Sequence, residues 1–397
     1  MKKIVMFIGG IETQAYFSLQ MKKAFEELGH EVCVFDYEKS WQTVGDLIRF
    51  CGNGNTVMIT FNFHGICGEE IFRDEDGKWF WDDVHVPCYN IIVDHPLYYH
   101  KFIEDRPKNY IHLSIDKNHE KYVRRFFPDV VNGPFLPLAG TELRPLEKKM
   151  PIKDRPIDVC FAGNYSPASH FDKYVNRHGS EYAEFYRAII DELLKNPHRT
   201  MEEVAEEKMH EVFDDLTEQQ IKETMPSFCI MDLMIRGLMR ERTVQVLVDS
   251  GVKVHLVGAG WEELECEHPE NMVQYGPMNS EGCLEIQEKS KICLNVMPWF
   301  KQGAHDRIFN TMLNGGVCVT DSSEYLDEVL TDEDVAFFSL KELDKLPEIV
   351  KGLLANPEKM QEIADHGYET ALMHHSWAKR AETLHKYIEK FNKRKNR

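Results

Sequence analysis

No apolar run in this chain is long enough to cross a bilayer as a helix. The opening stretch Lys3–Ile8 is too short for a signal peptide, and Glu12 closes it. A soluble, cytoplasmic chain is therefore expected. Positive charge is scarce: 47 Lys and Arg stand against 66 Asp and Glu, a net charge of −19. Nucleic acid and anionic membranes need a basic footprint, so neither is expected as the main partner. The basic end (Lys390, Lys393, Arg394, Lys395, Arg397) reads as a solvated, frayed tail, with a weak membrane contact as the alternative. Ten cysteines are present but none stands in a C-x-x-C pair, so zinc spacing and a disulfide framework are both missing. Cys33, Cys160, Cys293 and Cys318 lie in apolar runs and read as buried thiols. G-x-G-x-x-G is absent after the first strand, where only Gly9-Gly10 stands, so dinucleotide binding is unsupported.

What is present is an alternation of strand and helix patterns. In the first half, Lys3–Ile8, Glu31–Phe35, Thr56–Phe61, Tyr89–Val93 and Tyr110–Ser114 read as strands. Gln14–Leu28, Val44–Phe50 and Lys117–Phe127 read as helices. Strands that are apolar throughout and separated by helices imply a parallel sheet covered on both faces. Five of the 17 prolines fall between Pro134 and Pro156, which marks a linker. A second alternating set comes after it, with strands at Ile157–Ala162, Lys253–Val257 and Ile292–Met297. The expected domains are 1–133, a linker 134–156, a second domain 157–375 with a helical insertion at about 196–230, and a last helix with its tail at 376–397.

The stretch Gly303 to Asp321 carries the most information. Phe309, Met312 and Leu313 give it a helical stripe, Gly315-Gly316 stop the helix, and Val317–Thr320 is a buried strand. Arg307 stands in the first turn of that helix, where backbone N–H groups and the macrodipole are already positive. A phosphate is the natural guest between them; the alternative is a structural pairing of Arg307 with Asp306. Glycines end three strands of this half: Gly163-Asn164, Gly258-Ala259-Gly260 and Gly276. Glycine there lets backbone approach a ligand, although a simple turn asks for the same residue. Ligands of such sheets bind at the carboxyl ends of the strands.

Several segments, in order, resemble bacterial GT-B glycosyltransferases related to the spore maturation protein CgeB. They are Ile59-Thr60-Phe61-Asn62-Phe63-His64, Val93-Asp94-His95-Pro96-Leu97, Phe135-Leu136-Pro137-Leu138-Ala139, Asp158 to Tyr165, the Arg307 helix, and His375-Ser376-Trp377-Ala378-Lys379-Arg380. The resemblance implies an α/β chain of GT-B architecture, two Rossmann-like α/β/α domains facing a central cleft. It also implies transfer of a sugar from a UDP- or GDP-linked donor to an unidentified acceptor (protein, glycan or small molecule), with no cofactor and no metal. Asp82-Asp83 and Asp214-Asp215 read as solvated surface pairs. The family usually has Glu where this chain has Asn310, which touches donor choice or affinity.

On this reading the donor is held by Gly163, Asn164, Gly258, Gly260, Tyr275, His305, Asp306, Arg307, Asn310 and Asp321. Arg307 and the helix start meet the charge that builds on the departing diphosphate. Lys301 is a further candidate, or a solvated loop lysine. Trp299, Phe300 and Tyr275 suit either stacking on the donor or packing. His375, Trp377 and Arg380 suit a structural brace. The acceptor's base is sought among His64, Asp94 and His95, each standing after a strand of the first half. Two other functions fit the same architecture: a nucleotide-sugar epimerase and a non-catalytic nucleotide-sugar-binding protein.

Overall fold

The strands of this chain assemble into two six-stranded sheets, both parallel throughout. The computed structural model describes residues 2–52 and 54–395. It divides into two compact units, Met1–Ala139 with His375–Arg397, and Gly140–His374. In the first unit the strands are β1 (Lys3–Ile8), β2 (Glu31–Asp36), β3 (Thr56–Phe61), β4 (Cys88–Ile92), β5 (Tyr110–Ser114) and β6 (Val131–Asn132). Their order is β2-β1-β3-β4-β5-β6. β3, β4 and β5 are buried at every position, as mostly apolar runs demand when helices cover both faces, with Asn90, His112 and Ser114 buried among them.

The second unit holds β7 (Ile157–Ala162), β8 (Val254–Val257), β9 (Met272–Gly276), β10 (Ser290–Asn295), β11 (Val317–Asp321) and β12 (Ala336–Phe338). Their order is β12-β11-β10-β7-β8-β9. β7 and β10 are therefore central, and the chain reverses direction across the sheet between them. Cys160, Cys293 and Cys318 are buried, while Cys33 is only half-buried.

The chain divides at Ala139–Gly140, inside the stretch expected to be a linker. The rest of that stretch is strapped onto the second unit. A Cβ at Gly140 would lie 2.4 Å from the Phe309 carbonyl carbon, so only glycine permits the approach. Thr141 N–H donates to Asn310 Oδ1 at 2.8 Å, and Leu143 N–H to Asn314 Oδ1 at 3.0 Å. Arg155 donates to the carbonyls of Ser290 and Asn314, each at 2.9 Å. Proline enrichment marks the break in pattern, but these backbone contacts fix the strap.

The last helix, Trp377–Lys395, groups with the first unit. Trp377 packs against Phe17 with ring centroids 4.9 Å apart, and His30 Nε2 lies 3.0 Å from His385 Nδ1. Arg380 donates to the carbonyls of Pro137 (2.6 Å) and Leu138 (2.9 Å), which is a brace. Of the expected frayed tail, the backbone is helical to Lys395, and Asn396 and Arg397 lie outside the described residues. The expected insertion contains the helices Met201–Val212 and Glu218–Thr224, each opened by a capping box (Thr200 with Glu203, Thr217 with Gln220). The long helix Cys229–Asp249 then continues it past residue 230.

Candidate active site

Two arginines, Arg240 and Arg307, stand at the carboxyl end of β7. Gly163 N–H donates to the Val257 carbonyl at 2.8 Å, and Trp261 Nε1 donates back to the Gly163 carbonyl at 2.8 Å. A Cβ at Gly258 would lie 2.4 Å from the Gly163 carbonyl oxygen, and one at Gly260 would lie 2.1 Å from that of Tyr165. Both glycines are left-handed, with φ 136° and 88°. Their close approach is to the neighbouring strand-end loop. Asn164 closes the pair of loops by accepting from Ala259 N–H at 2.9 Å.

The Cys229–Asp249 helix packs on this corner. Gly237 makes that possible, since a Cβ there would meet the Ser166 carbonyl oxygen at 2.4 Å. One turn further on, Arg240 Nη1 donates to the Asn164 carbonyl at 2.5 Å, and the Tyr165 hydroxyl bonds Glu241. The Asp306–Leu313 helix brings Arg307 to the same place. Arg307 is 7% exposed, and a Cβ at Gly163 would lie 3.5 Å from its Nη1. The guanidinium carbons of Arg240 and Arg307 lie 5.9 and 5.1 Å from the centroid of the Phe161 ring.

Among the described residues neither arginine reaches a carboxylate. Asp306, the alternative partner of Arg307, is bonded elsewhere: His305 Nδ1 at 2.7 Å and Asn310 Nδ2 at 2.9 Å. Arg240 Nε and Arg307 Nη1 are buried without an acceptor. Burial lowers the pKa of both arginines, and the Arg307 charge presses further on Arg240. A buried cation, Arg307, beside a half-buried one, Arg240, each with a spare buried donor, is costly unless an anion joins them. In the loop leading to Arg307, Trp299 Nε1 is likewise buried without an acceptor.

His305 caps the helix, with Nδ1 3.3 Å from Arg307 N–H. Burial, then the Arg307 charge, pushes the His305 pKa down to about 4, so the ring is neutral near pH 7. For Asp306 burial pushes upward, but His305 and Arg307 outweigh it and hold the carboxyl below its usual range. Asn310 ties Asp306 to the Thr141 amide, so its amide is engaged on both ends. A glutamate would face the Asp306 carboxylate at this position, which gives a local reason for Asn.

Asp321 is 3% exposed and accepts from Met297 N–H at 2.9 Å. Burial raises its pKa to about 6. It lines a cavity of about 410 Å³ with Lys301, Lys341 and Ser322. Lys301 Nζ is tied to the Pro197 carbonyl. Tyr275 stands apart from the arginines: its hydroxyl lies 2.9 Å from His255 Nδ1, and His255 pairs with Cys160, which alternates with Phe161. It therefore lies on the opposite face of the sheet from Phe161.

In the first unit the site is a strained turn. Asn62 and Phe63 are both left-handed (φ 44° and 65°), and Phe63 is fully buried. Each such residue costs on the order of 1–2 kcal/mol. Two asparagines tie the turn down reciprocally. Asn62 accepts from Val93 N–H at 2.9 Å and donates to Asp94 Oδ2 at 2.8 Å. Asn90 accepts from Phe63 N–H at 3.0 Å and donates to the Tyr110 hydroxyl at 3.1 Å. That hydroxyl then meets His112 Nδ1 at 3.0 Å, and His112 Nε2 meets Ser114 Oγ at 3.1 Å. The two loops after β3 and β4 thus form one piece.

His64 sits in this piece, half-buried, with Tyr37 edge-on at 5.5 Å between ring centroids. Burial lowers its pKa, against an opposing push from Glu69. Asp94 also accepts from the Tyr99 hydroxyl at 3.1 Å. His95 is different. It is buried, caps the next turn by accepting from Leu97 N–H at 3.1 Å, and packs on His119 and Tyr122. The structure thus joins His64 and Asp94 through Asn62, and gives His95 a cap's place.

Residues 238–386 match a family model described as glycosyl transferase-like. Solved structures align along nearly the whole chain. The DNA-modifying enzyme β-glucosyltransferase aligns at 12% identity and TM-score 0.55, covering 98% of this chain and 99% of that one. Sucrose-phosphate synthase from Thermosynechococcus elongatus aligns at 11% and 0.53, covering 98% and 99%. HepE from Anabaena, solved with UDP-glucose, aligns at 9% and 0.53, covering 98% and 100%. The fold is GT-B. A glycosyltransferase is the class supported jointly by the GT-B fold and the matched segment. The matched segment contains both Arg240 and Arg307. No curated protein matches the chain by sequence. Among the described residues no helix is long and apolar enough to cross a membrane, and no group of three or more His, Cys, Asp or Glu could hold a metal ion.

Arg240 is the residue that sequence reasoning missed. Its signal was there: Asp232, Arg236 and Arg240 recur every four residues on a helix otherwise rich in Met, Leu and Val. Solvated arginines give the same pattern, and only the Gly237 contact turns this face inward.

Proposed function

We propose that this chain transfers a sugar from a nucleoside-diphosphate sugar to an acceptor in the cytoplasm, without a metal ion, in the manner of the CgeB-like enzymes it resembles. The observation that carries this is the pair Arg240 and Arg307 beside Gly163, the first half-buried with a buried Nε and the second buried, both with spare donors and no carboxylate among the described residues. A diphosphate supplies the missing acceptors, and its charge grows as the glycosidic bond breaks. Fixed donors aimed at that charge lower the barrier. Charge-assisted bonds from planar guanidiniums to phosphate are the strong kind. His64 is the base that takes the acceptor's proton. Its support is a neutral, half-exposed imidazole on a strained and fully tied turn. Asp94 stands beside it, held by Asn62. With a net charge of −19, nucleic acid is not the acceptor in this reading.

Incubation of the full chain with a panel of UDP- and GDP-sugars tests the function. Release of free nucleoside diphosphate, undiminished by EDTA, is the expected result. An isomerised donor with no release would show an epimerase, and tight binding without turnover a binding protein.

A further inference from the structure

The chain just after His64 is tied by more hydrogen bonds than a turn requires. Gly65 N–H donates to Glu69 Oε1 at 2.7 Å and lies 2.5 Å from the Tyr37 hydroxyl oxygen. The Tyr37 hydroxyl donates to the same Oε1 at 2.6 Å, and Cys67 N–H donates to Glu69 Oε2 at 2.9 Å. On its other side the Gly65 carbonyl accepts from the Trp81 indole at 2.6 Å. A Cβ at Gly65 would lie 2.3 Å from the Phe7 ring, so the chain cannot back away. One carboxylate thus fixes the backbone next to His64 and the ring that stands edge-on to its imidazole.

We propose that Glu69, acting through Tyr37 and the Gly65 amide, is a positioning residue that sets the orientation and the basicity of His64. This rests on the reading of His64 as the base. An imidazole at the end of a strand rotates freely unless its neighbours stop it, and that freedom must be given up before reaction. Tyr37 and the tied turn remove it in advance. The second part is electrostatic. Burial disfavours the imidazolium, and the Glu69 charge offsets that. From the segment after β2, Tyr37 contributes a neutral phenol, because burial and Glu69 push its pKa up. In the reaction the acceptor O–H proton passes to a His64 ring nitrogen while the acceptor oxygen bonds the anomeric carbon. The bond from that carbon to the diphosphate oxygen breaks, and its electron pair leaves with the nucleoside diphosphate.

The test uses the full chain with isotope-labelled histidine, the His64 signal being the one lost in His64→Gln. Its titration is followed by NMR, with UDP release from UDP-glucose measured at each pH. In Glu69→Gln the His64 midpoint should move to lower pH, the acid limb of UDP release should move with it, and the rate should fall by about 10²-fold, the scale of a misplaced catalytic group. Tyr37→Phe keeps the ring but bares the carboxylate, so the midpoint should move to higher pH. If Glu69→Gln does not fold, Tyr37→Phe carries the test alone. An unmoved midpoint in either folded variant, or movement of both in one direction, overturns the proposal. A midpoint that moves as expected while UDP release ignores it supports the Glu69 relay and removes His64 as the base.

Discussion

Arg240 and Arg307 sit at the end of β7 with more donors than acceptors, whereas the turn at the end of β3 has its backbone donors matched by Asn90, Glu69 and its own carbonyls. One region is electrostatically frustrated in a relaxed backbone. The other is conformationally strained in a satisfied hydrogen-bond network. Frustration of the first kind is relieved by a ligand, so it suits binding. Strain of the second kind holds a side chain still, so it suits positioning. Removing the functional groups should therefore leave stability nearly unchanged in the first unit and hold or raise it in the second.

The largest effect should come from the strained turn. His64→Ala should lower transfer by about 10²–10⁴-fold, the range for loss of a general base. Among the described residues the ring has no hydrogen-bond partner, so the melting temperature and the affinity for UDP should stay nearly constant. Steady-state UDP release and calorimetry on the same preparation read this. Full transfer activity would move the base to Asp94, where Asp94→Asn is the next variant to measure.

The frustrated corner should respond the other way. Arg307→Ala should weaken UDP binding by about 1.5–3 kcal/mol, ten- to a hundredfold, the scale of a lost charged hydrogen bond. Arg307→Lys keeps the charge but not the planar fork and should recover only part. Without ligand, Arg240→Met should hold or raise the melting temperature, because a like charge pressing on buried Arg307 is gone. A lower melting temperature with intact UDP affinity in both variants would make the pair a structural feature and end the contrast.

Much of this fold is legible in the sequence, and the reasons are local. β1, β3, β5 and β7 are mostly apolar runs bounded by turn residues, and their observed limits match the expected ones. β6 and β12, edge strands of two and three residues, escape such a reading, and of the edge strand β9 only its closing Gly276 is marked. β9, Met-Val-Gln-Tyr-Gly, is half exposed and shows no clean period. The site is legible in part. Arg307 shows itself through a misfit, a cation at the positive end of a helix. Gly258 and Gly260 are visible as glycines, but their reason, backbone packed on backbone, depends on a loop nearly 100 residues away. The left-handed pair Asn62-Phe63 has no signature, since phenylalanine does not announce that conformation. Asn90 and Glu69, which hold it, look like ordinary strand and loop residues.

Asn62→Gly separates strain from chemistry within the first unit. Glycine adopts φ 44° without penalty, which offsets the two lost hydrogen bonds to Val93 and Asp94. Stability should change by less than about 1 kcal/mol, the two terms being of similar size. Transfer should still fall by roughly tenfold or more, because Asp94 loses the donor that aims it. If Asn62 only makes the turn possible, the glycine variant should be as active as the parent, and its UDP release should show that directly.

The smallest effect is a difference in how the two units respond to acid. In the first unit His112 is buried and its pKa is pushed down to about 3, against 6.5 for the free side chain. Between those values the unfolded chain binds a proton that the folded one refuses. Stability is then fully present above pH 6.5 and falls as pH drops through the window, by about 1.4 kcal/mol per unit. In the second unit His305, at about 4, acts in the same direction. Asp321 acts in the other. Its folded pKa of about 6 exceeds the ordinary 3.8, so the folded state binds the extra proton and gains stability as pH falls through that range. The two nearly cancel between pH 6 and pH 4. Burial lowers His30 and His64 in the first unit and His255 in the second, all with the sign of His112. Hydrogen exchange, corrected for intrinsic rates, should therefore show β4 and β5 losing protection before β10 and β11 as pH goes from 6 to 4. Asp321→Asn keeps an acceptor for Met297 N–H but removes the offset, so β10 and β11 should then lose protection over the same range. Equal losses in the two sheets of the parent chain would mean that His305 and Asp321 do not balance, and that the acid response does not distinguish the two units.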